Sequence, residues 1–398
     1  MRQGPLAALR VLDLSTIFAG PLCGALLGDY GADVIKVEQP GVGDPLRAFP
    51  PHKDGVSLWS KVTNRNKRAI SLDLKHAMAK DVLGPIIAKR DVVIENFRPG
   101  TLDGWGLTGD WMRSLNPQLT IMRITGFGQN GPYRDRPGFA RAFEALSGFT
   151  HLCGEADGPP LHLGFPISDA VGGLFAAVGV LAALYELDRS QEKQGQEIDC
   201  SMAEAMLRVL DFVVVQQDQL NQSPKRSGNV SSYAAPSSIF ETRDGRWVSI
   251  PASSQSLFER LTEAIGQPTL KTDPRFAANT DRVRNRHEIN GIVAAALRGL
   301  SFSELEKRLD AHGIAFAPVN DAKAVIEDPQ FVAREAIVEI PDRELGRIKM
   351  QGVVPRFSRT PGAVSRAGES AGYDTKSVLS EFGFDASFIA RLEAKNVI

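Results

Sequence analysis

Short apolar, β-branched runs recur through the first two hundred positions, at 10–14, 34–37, 70–74, 92–95 and 120–124, and helical spacing fills the segments between them. Runs of this kind alternating with helices predict parallel strands covered on both faces, an α/β fold. The segment 21–30 opens with Pro21 near a first turn, and 76–89 ends in Lys89, which suits the negative end of a helix. Both fit right-handed crossover units. Open parallel sheets bind ligands outside the carboxyl ends of their strands, so the loops after Leu14, Val37, Leu74, Glu95 and Ile124 are where chemistry is expected.

The longest apolar run, 171–187, predicts a buried helix with Asp169 at its N-terminus. Unpaired amides and the positive end of the helix would keep this carboxylate ionised. An aspartate there can cap the helix, and it can also act as a nucleophile. Gly164, Ala170, Gly172 and Gly173 around it favour close approach of a ligand.

A polar stretch at 217–232, with Pro224 and Gly228, reads as a linker. Beyond it, 239–250 predicts a hairpin turning at Asp244-Gly245, followed by helices at 256–265, 287–298 and 303–312. A strand at 336–340 and a helix at 387–394 complete the chain, with no internal repeat.

At 398 residues and 43% hydrophobic content, the chain can bury a large core in two or three structural units. Its 46 Lys and Arg nearly balance 47 Asp and Glu, without the like-charge blocks of a nucleic-acid or acidic-membrane binder. The first residues lack the apolar core of a signal peptide, and Gly172, Gly173 and Gly179 interrupt the longest apolar run, so a soluble cytoplasmic protein is expected. Cys23, Cys153 and Cys200 are too scattered for a disulfide framework or a zinc site, and the six histidines show no ligand spacing; no metal is expected.

Six segments carry a resemblance that covers essentially the whole chain. They are Val11-Leu-Asp-Leu-Ser-Thr-Ile-Phe-Ala-Gly-Pro21, Gly31-Ala-Asp-Val-Ile-Lys-Val-Glu38 with Gly43-Asp44-Pro45, the stretch from Asn64-Arg-Asn-Lys-Arg68 to Lys75, Glu95-Asn-Phe-Arg-Pro-Gly100, Gly126-Phe-Gly-Gln-Asn-Gly-Pro-Tyr133, and Gly164 to Gly173 around Asp169. In this order the chain resembles the class III CoA-transferases, which include formyl-CoA transferase, the carnitine and bile-acid CoA-transferases and the 2-methylacyl-CoA racemases.

The resemblance implies a Rossmann-like large domain with a parallel sheet plus a smaller α+β domain, in a homodimer of interlinked rings. The corresponding boundaries are 1–216 for the large CoA-binding domain, 217–236 for the linker, 237–327 for the small domain and 328–398 for a tail returning to the large one. It implies that Asp169 attacks an acyl-CoA, forming first a mixed anhydride and then an aspartyl-CoA thioester. Coenzyme A thioesters are then substrates, with no permanently bound cofactor, and small carboxylic acids are the other partners. CoA-binding positions carry over onto Ile17, Phe18, Gln39, Leu72, Lys75, Asn96, Phe97 and Arg98, with the 64–68 cluster beside Lys75 as candidate phosphate cations. Gly126, Gly128, Gln129 and Phe139 mark a candidate oxyanion or acyl-site loop.

The chain departs from formyl-CoA transferase in having Gln39 and Gly104 where arginines stand, and Ala252-Ser-Ser-Gln-Ser256 in place of a glycine-rich lid. A racemase needs a base on each face of the α-carbon, and Phe139-Ala140 occupies the place of the His-Asp pair that racemases add to the aspartate. Racemase and non-catalytic CoA- or nucleotide-binding protein remain the alternatives. Resemblance around 141–155 points to short dicarboxylic acids, with Arg47, Arg141 or His162 as candidates for the second carboxylate.

Overall fold

The computed structural model describes residues 4–398, which fall into two compact units. The first gathers 4–149, 163–214 and 330–398; the second gathers 150–162 and 215–329.

The first unit is built on six strands: β1 (Arg10–Asp13), β2 (Asp33–Glu38), β3 (Lys67–Ser71), β4 (Val92–Glu95), β5 (Thr120–Thr125) and β6 (Glu197–Ser201). Their order is β3-β2-β1-β4-β5-β6, every neighbouring pair parallel. This is the doubly wound order, and it reverses between β1 and β4. Chain leaving those two strands therefore diverges and opens a crevice at their carboxyl ends. The inner strands β2, β1, β4 and β5 carry buried apolar runs because helices cover both faces.

One face carries α1 (Ala19–Asp29) and the long α4 (Ile167–Arg189), whose Ala176, Ala177 and Val180 join Cys23, Leu27, Met122 and Ile124 in one core cluster. The other carries α2 (Ala79–Ile87) and the C-terminal helices Thr375–Glu381 and Ala386–Ala394, whose Val378, Leu379, Ile389 and Leu392 complete a second cluster with Ile35, Ile70 and Val93. The tail is tied down by Asp374, which accepts from Ala69 N at 2.8 Å, and by Thr375 Oγ1, which accepts from Ser71 N at 2.9 Å. Two shorter helices, α3 (Ala140–Leu146) and α5 (Met202–Arg208), flank the start of α4.

In the second unit the predicted hairpin forms, Ser237–Glu241 pairing antiparallel with Trp247–Pro251, and Gly245 turns it at φ +73°. Helices Gln255–Ala264, Arg286–Leu297 and Phe302–Ala311 pack over it around Phe240, Val248, Ile250 and Leu305.

Several expectations shift. The third strand lies at Lys67–Ser71 rather than 70–74, β6 has no counterpart in the predicted runs, and the strand at 336–340 is half of a hairpin, Ile337–Asp342 with Gly346–Gln351. The stretch read as a linker begins inside a helix, Val213–Leu220, and 150–162, placed in the large domain by sequence, belongs to the second unit. The glycines of α4 do not interrupt it: at 23 residues and mean hydropathy 1.9 it is long and apolar enough to cross a membrane, yet one side of it is packed on the sheet.

Candidate active site

The turns leaving β1 and β4 meet at the switch point. Asn96, the first residue after β4, accepts from Thr16 N with Oδ1 at 2.7 Å and donates Nδ2 to Thr16 O at 2.8 Å, so one side chain satisfies both backbone groups of Thr16. Beneath it, Glu95 accepts from Phe97 N at 2.8 Å and from Arg123 at 3.2 Å. Burial pushes the Glu95 carboxyl up to about 7, against the pull of Arg123.

A cavity of about 190 Å³ opens beside these turns, lined by Ile17, Phe18, Ala19, Asn96, Phe97 and Arg98 on one side and by Gly126, Phe127, Arg134, Arg136, Phe139 and Asp169 on the other. A second cavity, of about 250 Å³, shares Thr16 and Phe97 with the first and is walled by Leu14, Val37, Leu72, Leu74 and Trp105, with Gln39 and Lys75 on its rim. Phe97 meets Trp105 edge-on at 5.2 Å, and the Lys75 ammonium lies 5.5 Å from the Trp105 ring centre. All eight residues carried over as CoA contacts thus line one or the other of two adjoining hollows, although their sequence positions span eighty residues.

Asp169 is the third residue of α4 and partly exposed to the first cavity. It caps nothing: α4 has no side-chain cap, and its first turn is anchored by Ser168, whose Oγ donates to Ala140 O at 2.9 Å. The stabilisation of the charged form expected from the helix end is outweighed by its surroundings. Burial, and next the charge of Glu144, push it up to about 7. Glu144, itself buried on α3, also accepts from Ser168 N at 3.5 Å; an ordinary helical glutamate in the sequence gives no signal of this role.

The small residues near Asp169 serve helix packing more than ligand approach. A Cβ on Gly173 would stand 2.7 Å from Ala19 O and 3.2 Å from Leu22, and one on Gly172 would stand 2.9 Å from Met202. These contacts let α4 lie against α1 and α5. Of the three glycines only Gly164 faces open space, while Ala170 lines a cavity with Phe18, Leu22 and Phe165.

The candidate oxyanion loop is also corrected. Gly128 N already donates to Thr125 Oγ1 at 3.0 Å and Gln129 N to Asp199 at 2.8 Å, so neither amide is available. Gly126 and Phe139 do line the cavity, and the amides of Gly126, Phe127 and Ala19 make no hydrogen bond among the described residues. Gly126 is further required by packing, because a Cβ there would stand 2.4 Å from the Phe143 ring.

The expected cations sort differently from the sequence reading. In the 64–68 cluster, Arg65 is held by Asp29 at 2.5 Å, Lys67 by Asp13 at 2.9 Å and Arg68 by Asp33 at 2.7 Å, all internal ion pairs. Arg47 is engaged by both oxygens of Glu38, at 2.6 and 2.7 Å. None of these is available to a phosphate or a second carboxylate. Arg98, Arg134 and Arg136 face the cavity instead. Arg136 stacks on Tyr133 at 3.6 Å and, like Arg98, has no carboxylate partner among the described residues. No group of His, Cys, Asp and Glu able to hold a metal ion occurs among the described residues.

The family model described as CoA-transferase family III matches residues 6–375. The chain is 40% identical over 99% of its length to succinyl-CoA–D-citramalate CoA-transferase of Chloroflexus aurantiacus, 98% of which is covered. It is 39% identical, over the same shares, to the beta subunit of succinyl-CoA–L-malate CoA-transferase of that organism. The crystal structure of a CAIB/BAIF family protein from Brucella suis superposes with a TM-score of 0.85 at 31% identity, covering 96% of this chain and all of that one.

Proposed function

The chain is a member of CoA-transferase family III, and from that premise we propose that it moves CoA from an acyl-CoA to a short dicarboxylic acid through covalent intermediates on Asp169. The observation that carries this reading is the Asp169 carboxylate, not engaged in capping its helix, facing a cavity that adjoins a second, largely apolar one through Thr16 and Phe97. An adenine suits walls such as Leu72, Leu74 and Trp105, and the pantetheine then passes Thr16 and Phe97 towards Asp169. Lys75 stands where it can meet a phosphate.

In the first step the Asp169 carboxylate attacks the thioester carbonyl, CoA leaves as thiolate, and an acyl-aspartyl anhydride forms. The thiolate then attacks the aspartyl carbonyl, releasing the donor acid and leaving an aspartyl-CoA thioester. The acceptor carboxylate repeats the two steps in reverse, restoring Asp169 and giving the new acyl-CoA. Ala19, Gly126 and Phe127, whose amides are unpaired, line the same cavity as Asp169 and are the proposed donors to each tetrahedral oxyanion; one such donor is typically worth about 3 kcal/mol.

Two relatives named for citramalate and malate support a dicarboxylic acceptor, and Arg98 and Arg136 supply cations without carboxylate partners for its distal end. We assign a homodimer to the protein on the exposed face of α4, where Leu174, Phe175, Val178, Leu181 and Tyr185 form an apolar strip that a second copy would cover.

The test is incubation with succinyl-CoA followed by intact-mass and peptide mapping, alongside exchange of isotope-labelled succinate, malate and citramalate into the CoA pool. A CoA-sized adduct on Asp169, absent in Asp169→Asn, together with exchange, is the expected result. Loss of both adduct and exchange across several donors would leave a CoA-binding protein without turnover.

A further inference from the structure

Ile17 lies between the two cavities' shared turn and the start of α1, and its backbone is at φ +68°. A β-branched side chain seldom adopts this left-handed conformation, because Cβ crowds the carbonyl oxygen. Such a residue persists only where its surroundings over-determine it, against a penalty equivalent to about a 5- to 150-fold population shift.

The restraint is visible. Asp44 accepts from Ile17 N at 2.9 Å with Oδ1 and at 3.2 Å with Oδ2, and the same Oδ1 accepts from Leu46 N at 2.8 Å. Asp44 is buried and is fixed from behind by Lys36, whose fully buried ammonium stands 3.1 Å from Oδ2. Lys36 also donates to Ser15 O, and Asp13 accepts from both Ser15 N and Ser15 Oγ while pairing with Lys67. With Asn96 on Thr16, the turn 15–17 is held at each residue by a polar side chain reaching from another strand or loop: Lys36 on Ser15, half-buried Asn96 on Thr16 and Asp44 on Ile17.

We propose that Asp44, backed by Lys36, is a positioning residue for acyl-CoA binding: it holds Ile17 in its left-handed conformation and thereby sets the Phe18–Ala19 start of α1 against Asp169. Neither Asp44 nor Lys36 needs to touch the reacting atoms. Without the Asp44 carboxylate the turn relaxes to negative φ, and only the fraction of molecules still in the native turn binds substrate competently. That cost falls on apparent affinity, since the apparent dissociation constant is the intrinsic one divided by the competent fraction.

The inference rests on the transferase reading, and the experiment separates the two. Wild type, Asp44→Ala, Ile17→Gly and the double variant are compared for KM and kcat in CoA exchange and for calorimetric binding of free CoA. Asp44→Ala is expected to raise KM and weaken CoA binding about tenfold, with kcat changed less than about twofold. Measured against Ile17→Gly alone, adding Asp44→Ala is expected to cost less than about twofold, because glycine adopts positive φ without penalty and no longer needs the Asp44 restraint. A purely structural role for Asp44 would cost the same in either background. An unchanged KM in folded Asp44→Ala, or the same loss on Asp44→Ala whether residue 17 is isoleucine or glycine, overturns the proposal. If Asp44→Ala does not fold, Lys36→Met/Asp44→Ala removes the orphaned ammonium while Lys67 still pairs with Asp13, and the same rise, and its absence in the Ile17→Gly background, are required of it. If wild type exchanges nothing, the functional reading falls, and CoA binding alone decides the role of Asp44.

Discussion

Replacing the proposed nucleophile should make the protein more stable, and by an amount that depends on pH. Asp169 is raised from 3.8 to about 7, first by burial and then by Glu144. A carboxyl whose folded value is raised binds its proton more tightly in the native state, so native stability falls as pH climbs from about 4 to about 7 and levels off above. Three pK units at 1.36 kcal/mol each set a ceiling of about 4 kcal/mol, and solvent at the cavity mouth reduces this to about 2 kcal/mol. Asp169→Asn keeps the side chain's shape and removes the charge, so it should raise Tm by about 4 °C near pH 8 and by about half that near pH 5. Thermal unfolding of both proteins across that range measures the difference, while exchange activity of the variant is lost. An equal shift at both pH values, or destabilisation near pH 8, would refute the claim that this carboxylate is held against its own ionisation.

Gly173→Ala should destabilise the first unit by about 1–3 kcal/mol, since the added methyl meets Ala19 O at 2.7 Å and helix backbone must move; chemical denaturation checks it, and CoA exchange should weaken as the start of α1 shifts. Val178→Asp combined with Leu181→Asp, on the exposed face of α4, should convert the proposed dimer to monomer in light scattering without lowering helix content by circular dichroism. A species of unchanged mass would remove that face as the interface.

Local pattern was enough for much of this molecule. Val92–Glu95 was legible because a buried parallel strand is an uninterrupted apolar run, and the hairpin at Gly245 because its turn requires positive φ. The position of Asp169 at the head of an apolar helix was legible for the same reason. β6 was not: Glu197-Ile-Asp-Cys-Ser201 is a polar edge strand whose Glu197 is drawn in by Arg123 and Arg113, partners 74 and 84 residues away. Motif order placed the CoA contacts along the chain, but only the doubly wound strand order brings Thr16 and Asn96 together at the reversal between β1 and β4.

Charge was the least legible property. Composition counts Arg47, Arg65, Lys67 and Arg68 as available cations, yet the tertiary structure closes each on a carboxylate, while Arg98 and Arg136 face the cavity without one. The sequence by itself determined most of the strand and helix pattern, the resemblance, and which carboxylate heads the long helix. Tertiary structure alone decided the upward shift of that carboxylate, the strained turn at Ile17 and the glycine contacts that seat α4. Periodicity is a property of neighbours along the chain, whereas desolvation, ion pairing and steric clearance depend on groups that only the fold brings near.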